Sequence, residues 1–215
     1  QGGLGWYMVA SGLVDRVDVS QYRLALHLAV AVLIFAAALG IAISETRVGA
    51  IAVPPSPSLG WRRTRNSASG LLILLFVQIF VGGLVAGLDA GMTANTWPDM
   101  DGALVPDGLM VMTPWYLNVF ENATTVQFLH RLEAYTIAVW VIGHLAYVLR
   151  MPGDPSTRVT AVAVAVGVLA QIGLGIATLL AMVPIGLGLL HQAGALIVIA
   201  LAVWHLQVLR TVRPA

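Results

Sequence analysis

The charges of this chain are gathered into a few clusters, and the stretches between them are apolar runs of about the length that crosses a membrane. Inside hydrocarbon every backbone N–H and C=O must find its partner within the protein, so runs of roughly 17–25 apolar residues fold as helices. Five complete spans are expected, over residues 23–43, 71–90, 126–149, 159–182 and 185–209. Only 10% of the residues are charged, against roughly 25% in a soluble domain, and the mean hydropathy is +0.88. The expected fold class is all-α, a polytopic transmembrane helix bundle. The apolar opening stretch, 2–13, is too short to span and reads as the tail of a helix whose beginning is missing, so a fragment is expected.

Arginine placement orients the spans. The connection 44–66 carries Arg47, Arg62, Arg63 and Arg65 together with Pro54, Pro55 and Pro57. The turn 151–157 is flanked by Arg150 and Arg158, and the tail carries Arg210 and Arg213. These segments and the C-terminus are expected on the cytoplasmic side. The connection 91–125 has no Lys or Arg but holds Asp99, Asp101, Asp107 and Glu121, and it is expected outside. Its Trp97, Trp115 and Tyr116 suit an aromatic belt. Arg16 and Arg23 also fall outside, offset by Asp15 and Asp18. No basic stripe points to nucleic acid, and the expected surroundings are membrane lipid. The chain has no cysteine. Disulfides, thiolate catalysis, iron–sulfur clusters and cysteine–zinc sites are therefore excluded, and metal chemistry falls to histidine.

Three histidines, His27, His130 and His191, lie a few residues inside the same end of three different spans. An imidazole in hydrocarbon is costly unless it pairs, faces a cavity or binds a metal, and it is the usual axial ligand of haem iron. His130 and His191 are the strongest pair. They sit on alternate helices of one four-helix unit at matched depth, about 6–9 Å inside the outer end, where they could clamp one iron. Arg131 is a candidate partner for a haem propionate, since a guanidinium suits carboxylate geometry. The competing reading is that each histidine hydrogen-bonds to a neighbouring helix.

His144 and His205 each follow a leading histidine by 14 residues, about 21 Å along the helix and within about 40° of the same face. They resemble the arrangement of dihaem cytochrome b proteins, or else they snorkel to the inner interface beside Arg150 and Arg210. Glu133 could orient an imidazole, take part in proton transfer or pair with Arg131. Asp89 could simply mark the outer boundary. The small-residue run 82–87 permits close helix packing, or lets a flat macrocycle approach the backbone.

An internal echo suggests a repeat. Gln1-Gly-Gly-Leu-Gly5 recurs as Gln171-Ile-Gly-Leu-Gly175, and each copy precedes a helix opening with leucines and a histidine, His27 or His191. A parallel repeat of four helices about an axis along the membrane normal fits that pattern. Residues 1–43 would then end an N-terminal half, 44–66 would link, and 67–215 would form a C-terminal four-helix, haem-binding half. His27 would belong to a second site whose other ligand is absent.

Several motifs are too particular to be generic. Residues 82–91, Gly-Gly-Leu-Val-Ala-Gly-Leu-Asp-Ala-Gly, lead to Asn95-Thr-Trp-Pro-Asp-Met100, then to Pro114-Trp-Tyr-Leu-Asn118, Phe120-Glu-Asn122 and Val126-Gln-Phe-Leu-His-Arg131. With Gly2-Gly-Leu-Gly-Trp-Tyr-Met8, Ser11-Gly-Leu13, Tyr22-Arg-Leu-Ala-Leu-His27 and His191-Gln192, the chain resembles the haem A synthase family over essentially its whole length. The resemblance implies eight helices in two halves, and an enzyme that oxidises the C8 methyl of haem O to a formyl group for cytochrome oxidase. It implies a bacterial inner membrane, or the mitochondrial one in a eukaryote, with haem O supplied by a farnesyltransferase and homo-oligomers open. It matches His130 and His191 to the ligands of a b-type haem (haem b), and His27 to one ligand of the substrate haem. The first Glu-Phe-x-x-His-Arg-like motif of the family is absent here, and Gln127 stands where that motif has its acid. On this resemblance the chain alone binds one haem and makes no haem A. A non-enzymatic dihaem electron carrier is the alternative.

Overall fold

The computed structural model describes residues 1–12, 18–46, 58–151 and 154–210. The expectations for Asp15, Arg16, Arg47, Pro54, Pro55, Pro57 and Arg213 lie outside the described residues. Among the described residues seven α-helices follow in order: α1 (Gly2–Val9), α2 (Gln21–Thr46), α3 (Leu59–Gly87), α4 (Asn118–Glu121), α5 (Ala123–Arg150), α6 (Pro155–Leu180) and α7 (Ile185–Val208). Five of them, α2, α3, α5, α6 and α7, are long and apolar enough to cross a membrane. Two 3₁₀ turns and one isolated bridge, Met100 with Ala103, are the other regular features among the described residues. This is the all-helical polytopic bundle that the hydropathy pattern predicts.

Side-chain caps set three of the helix starts. Ser58 Oγ accepts from the Trp61 amide, Asn122 Oδ1 from the Thr125 amide, and Asp154 Oδ1 from the Ser156 amide with Pro155 at the first helical position. The first of these corrects the expected boundary. α3 begins at Leu59, so Arg62, Arg63 and Arg65, read as part of a connection, lie on its first turns. Counting apolar residues finds the stretch in hydrocarbon and misses a helix that continues beyond it.

Helices α3, α5, α6 and α7 close a ring, each packing on two others of the four, and α2 lies outside against α3 and α7 with α1 upon it. The shared core is a layer of branched aliphatics including Leu71, Val141, Val164 and Ile199, which Val32 of α2 joins. The outward faces stay apolar, with Leu33, Ile73, Val139, Val166 and Ile197 exposed, as suits a molecule whose solvent there is lipid. The run 82–87 works as a packing stripe. A Cβ at Gly83 would come within 2.8 Å of the Ala25 Cα, and one at Gly87 within 2.6 Å of the Gln21 Cα. Only glycine lets α2 and α3 approach this closely.

The long connection between α3 and α5 folds back over one end of the ring. Buried Asn118 donates to the Met112 and Trp115 carbonyls and accepts from the Met112 amide. Asn95 donates to the Leu179 carbonyl, tying this loop to the last turn of α6. All three leading histidines lie toward this end of their helices.

Candidate functional site

The three leading histidines share one local arrangement. Gln171 on α6 donates through Nε2 to the His191 carbonyl at 2.7 Å, and the same nitrogen lies 3.1 Å from His191 Nδ1. Gln78 on α3 does the same to His130, at 3.1 Å from the carbonyl and 3.4 Å from Nε2. Gln1, just before α1, reaches the His27 carbonyl at 3.0 Å and its two ring nitrogens at 3.2 and 3.3 Å. One turn on from each glutamine comes a glycine facing the ring. A Cβ would meet the imidazole Cε1 at 3.3 Å from Gly82, 2.8 Å from Gly175 and 3.2 Å from Gly5.

His130 and His191 are within electrostatic range of each other. Each keeps one nitrogen without a hydrogen-bond partner among the described residues: Nδ1 of His130, which is buried, and Nε2 of His191. Buried polar atoms are almost always paired, so orphans need a cause. Seven such side-chain atoms occur among the described residues, and five belong to one neighbourhood: Gln78 Oε1, Gln127 Oε1, His130 Nδ1, Arg131 Nε and Glu133 Oε1. A haem fits that donor set, since two imidazole nitrogens stand free to take a metal and a buried guanidinium N–H remains for a carboxylate.

Arg131 is already engaged in a way that sequence reasoning missed. Its Nη1 donates to the Thr96 and Asp99 carbonyls at 2.8 and 2.9 Å, and its Nη2 to the Ala94 carbonyl at 2.8 Å. Gln127 adds a bond to the same Ala94 oxygen. Arg131 is thus first the clasp of the folded-back loop, with its Nε–H left over. No ion pair between Arg131 and Glu133 occurs among the described residues, so that expectation is not met. In the loop itself, the Thr96 hydroxyl and the Gly102 amide hold the exposed Asp99 carboxyl below the ordinary aspartate range.

His144 and His205 correct a second expectation. Neither snorkels: they are 3% and 1% exposed, and their Nε2 atoms bond to each other at 2.9 Å. An axial pair needs its nitrogens roughly 4 Å apart, at about 2 Å per metal–nitrogen bond as in zinc sites. Donor counting orders the chain they form. Thr160 Oγ1 donates to the Ser156 carbonyl at 2.8 Å, so it accepts from His205 Nδ1 at 2.7 Å. His205 Nε2 then accepts from His144 Nε2–H, and His144 Nδ1 from the Ser67 hydroxyl at 3.0 Å. Ser67 Oγ accepts from Trp140 Nε1 at 3.2 Å. Every member is satisfied, and α3, α5, α6 and α7 are joined by one polar chain. The structure thus gives these two histidines to packing and disfavours a second haem between them.

The glutamines were half legible. The echo of residues 1–5 in 171–175 is visible by eye, whereas Gln78-Ile-Phe-Val-Gly82 keeps only the glutamine and the glycine of it. A search for Gln-x-x-x-Gly ahead of a histidine helix finds all three.

Residues 1–203 match the family described as cytochrome oxidase assembly protein (COX15-CtaA). The heme A synthase of Chelativorans sp. (strain BNC1) is 48% identical over 214 residues, covering 100% of this chain and 57% of the relative. The heme A synthase of Brucella anthropi is 48% identical over 206 residues, 95% of this chain and 56% of the relative. That of Mesorhizobium japonicum is 47% identical over 206 residues, 95% and 54%. The chain spans a little over half the length of the curated relatives it matches.

Proposed function

This chain belongs to the cytochrome oxidase assembly protein family, and on that premise we propose that it is the C-terminal part of a haem A synthase, binding one b-type haem between His130 and His191. The observation that carries the reading is the gathering of unpartnered buried polar atoms around His130, opposite a second histidine with a free nitrogen. His130 Nδ1 and His191 Nε2 are the atoms left for iron, and Arg131 Nε–H is the donor left for a propionate. When bound, the haem supplies one-electron redox chemistry. The protein's own part is to hold it in a water-poor bundle, with the loop that Arg131 clasps closing the near end.

In the parent enzyme the substrate is haem O, whose C8 methyl becomes a formyl group, and the oxidation belongs to the N-terminal half. His27 is the ligand that this chain contributes to that substrate site, and its partner lies outside the chain. The helix ring α3–α5–α6–α7 corresponds to the C-terminal half, which with α3 included begins at Leu59 rather than at residue 67. The protein crosses the bacterial inner membrane with its C-terminus in the cytoplasm, and receives haem O from the farnesyltransferase that makes it. On this reading the chain alone makes no haem A.

The test is haem content in detergent-purified full chain and in His130→Ala and His191→Ala. Each substitution is expected to abolish the bound-haem spectrum. Full haem occupancy in both single variants would rule out the ligand assignment.

A further inference from the structure

The three glutamine–glycine pairs do something that neither haem ligation nor helix packing requires. Gln78 and Gln171 sit on the membrane-length helix before their histidine's own and Gln1 just ahead of α1, and in each case one amide nitrogen meets the backbone carbonyl and the ring of a single residue. The glycine comes four residues later on the same helical face, where a side chain would occupy the place of the imidazole Cε1. The same device at three sites, in different helix pairs, is not an accident of packing.

Donor counting shows what it imposes. A carbonyl can only accept, so it takes one N–H of the amide and fixes which end of the amide faces the histidine. The ring nitrogen beside that same amide nitrogen must then be an acceptor. At His191 this nitrogen is Nδ1, which puts the proton on Nε2. At His130 it is Nε2, which puts the proton on the buried, unpartnered Nδ1.

We infer that each Gln-x-x-x-Gly pair is a positioning device for the histidine opposite it: the glutamine sets the ring's rotation and, at His130 and His191, its tautomer, and the glycine gives the ring its berth. Gln78 with Gly82 serves His130, Gln171 with Gly175 serves His191, and Gln1 with Gly5 serves His27. In the first two the nitrogen turned away from the glutamine carries the proton in the haem-free chain, so taking a metal there requires that proton to move to the nitrogen beside the glutamine and the amide to turn its oxygen toward it. The device itself is independent of what binds; that it serves a haem rests on the functional reading above.

The experiment is ring-nitrogen NMR on the haem-free full chain with ¹⁵N-labelled histidine, in wild type, Gln78→Met, Gln171→Met and Gln207→Met. Methionine keeps the length of glutamine and removes the donor. Wild type is expected to show one tautomer at each of His130 and His191, unprotonated at Nε2 and Nδ1 respectively. Gln171→Met should lose the single tautomer at His191 alone, and Gln78→Met at His130 alone. Unchanged ring signals in both variants, or an equal change in Gln207→Met, would overturn the inference.

Gly175→Ala probes the berth by a different route. It should displace the His191 ring while leaving the His130 signals in place, and an unmoved His191 ring would count against the device. On haem-loaded protein, Gln78→Met and Gln171→Met should shift the low-spin EPR signal, which depends on axial ring orientation, without emptying the site. If wild type takes up no haem while the NMR result holds, the functional reading fails and the device stands. If haem binds and neither signal moves in the variants, the device fails and the reading stands.

Discussion

Replacing His205 by leucine removes two hydrogen bonds from the polar chain and strands a donor. His144 Nε2–H loses its acceptor at a position 3% exposed, whereas Thr160 keeps the Ser156 carbonyl. A buried unsatisfied donor costs about 1–3 kcal/mol, and hydrogen bonds between membrane helices measure about 0.6 kcal/mol on average and about 1.7 at most. The single substitution is therefore expected to cost about 1–3 kcal/mol, and His144→Leu a similar amount. The double variant is different. Ser67 keeps Trp140, Thr160 keeps Ser156, and no ring donor is left stranded. Its cost should fall short of the sum of the singles by about 1–2 kcal/mol, the coupling expected of residues in direct contact. Denaturant titration in mild detergent measures all four corners of the cycle. Additivity within about 0.5 kcal/mol would refute the chain as a connected unit.

Three further outcomes follow from the loop and the helix contacts. Arg131→Met should free residues 94–99, at a local cost of up to about 1.5–3 kcal/mol for each of three bonds from a charged donor to carbonyls, and less where they meet water because Arg131 is half-buried, read as faster hydrogen exchange there with the helices unchanged. Asp99 is held below its ordinary range first by the Thr96 hydroxyl and then by the Gly102 amide. A lowered folded-state value means a contribution present above about pH 3.9, the unfolded value, and lost only as pH falls through the lower folded one. Proteolysis of the loop at 96–102 should therefore rise only under acid conditions below the usual aspartate range, and Thr96→Val should move that rise to higher pH. Finally, Gly83→Ala and Gly87→Ala each force a Cβ into the α2 backbone. Each should destabilise by about 1–3 kcal/mol, visible as weakened α2–α3 cross-linking.

Much of this fold is written in hydropathy, because a span of twenty apolar residues has only one cheap backbone conformation in lipid. The five spans, the close approach at Gly83 and Gly87 and the prominence of His130 and His191 are all legible that way. What is not legible depends on distance across the bundle. Helical spacing puts His144 and His205 on the faces of their leading histidines, but it does not say that their rings touch and leave no room for a metal. Adjacency in sequence offers Arg131 to a propionate, while the carbonyls of Ala94, Thr96 and Asp99 claim its terminal nitrogens through a loop more than thirty residues away. The start of α3 was hidden for a simpler reason, since charged first turns outside the membrane carry no apolar signal.

The central claim, one haem held by His130 and His191 with none between His144 and His205, is tested most directly by stoichiometry. A reduced-minus-oxidised visible spectrum with pyridine haemochrome quantitation on the detergent-purified chain should give one b-type haem per chain. That haem should remain in the His144→Leu/His205→Leu double variant. Two haems per chain, or none in folded protein, would contradict the account.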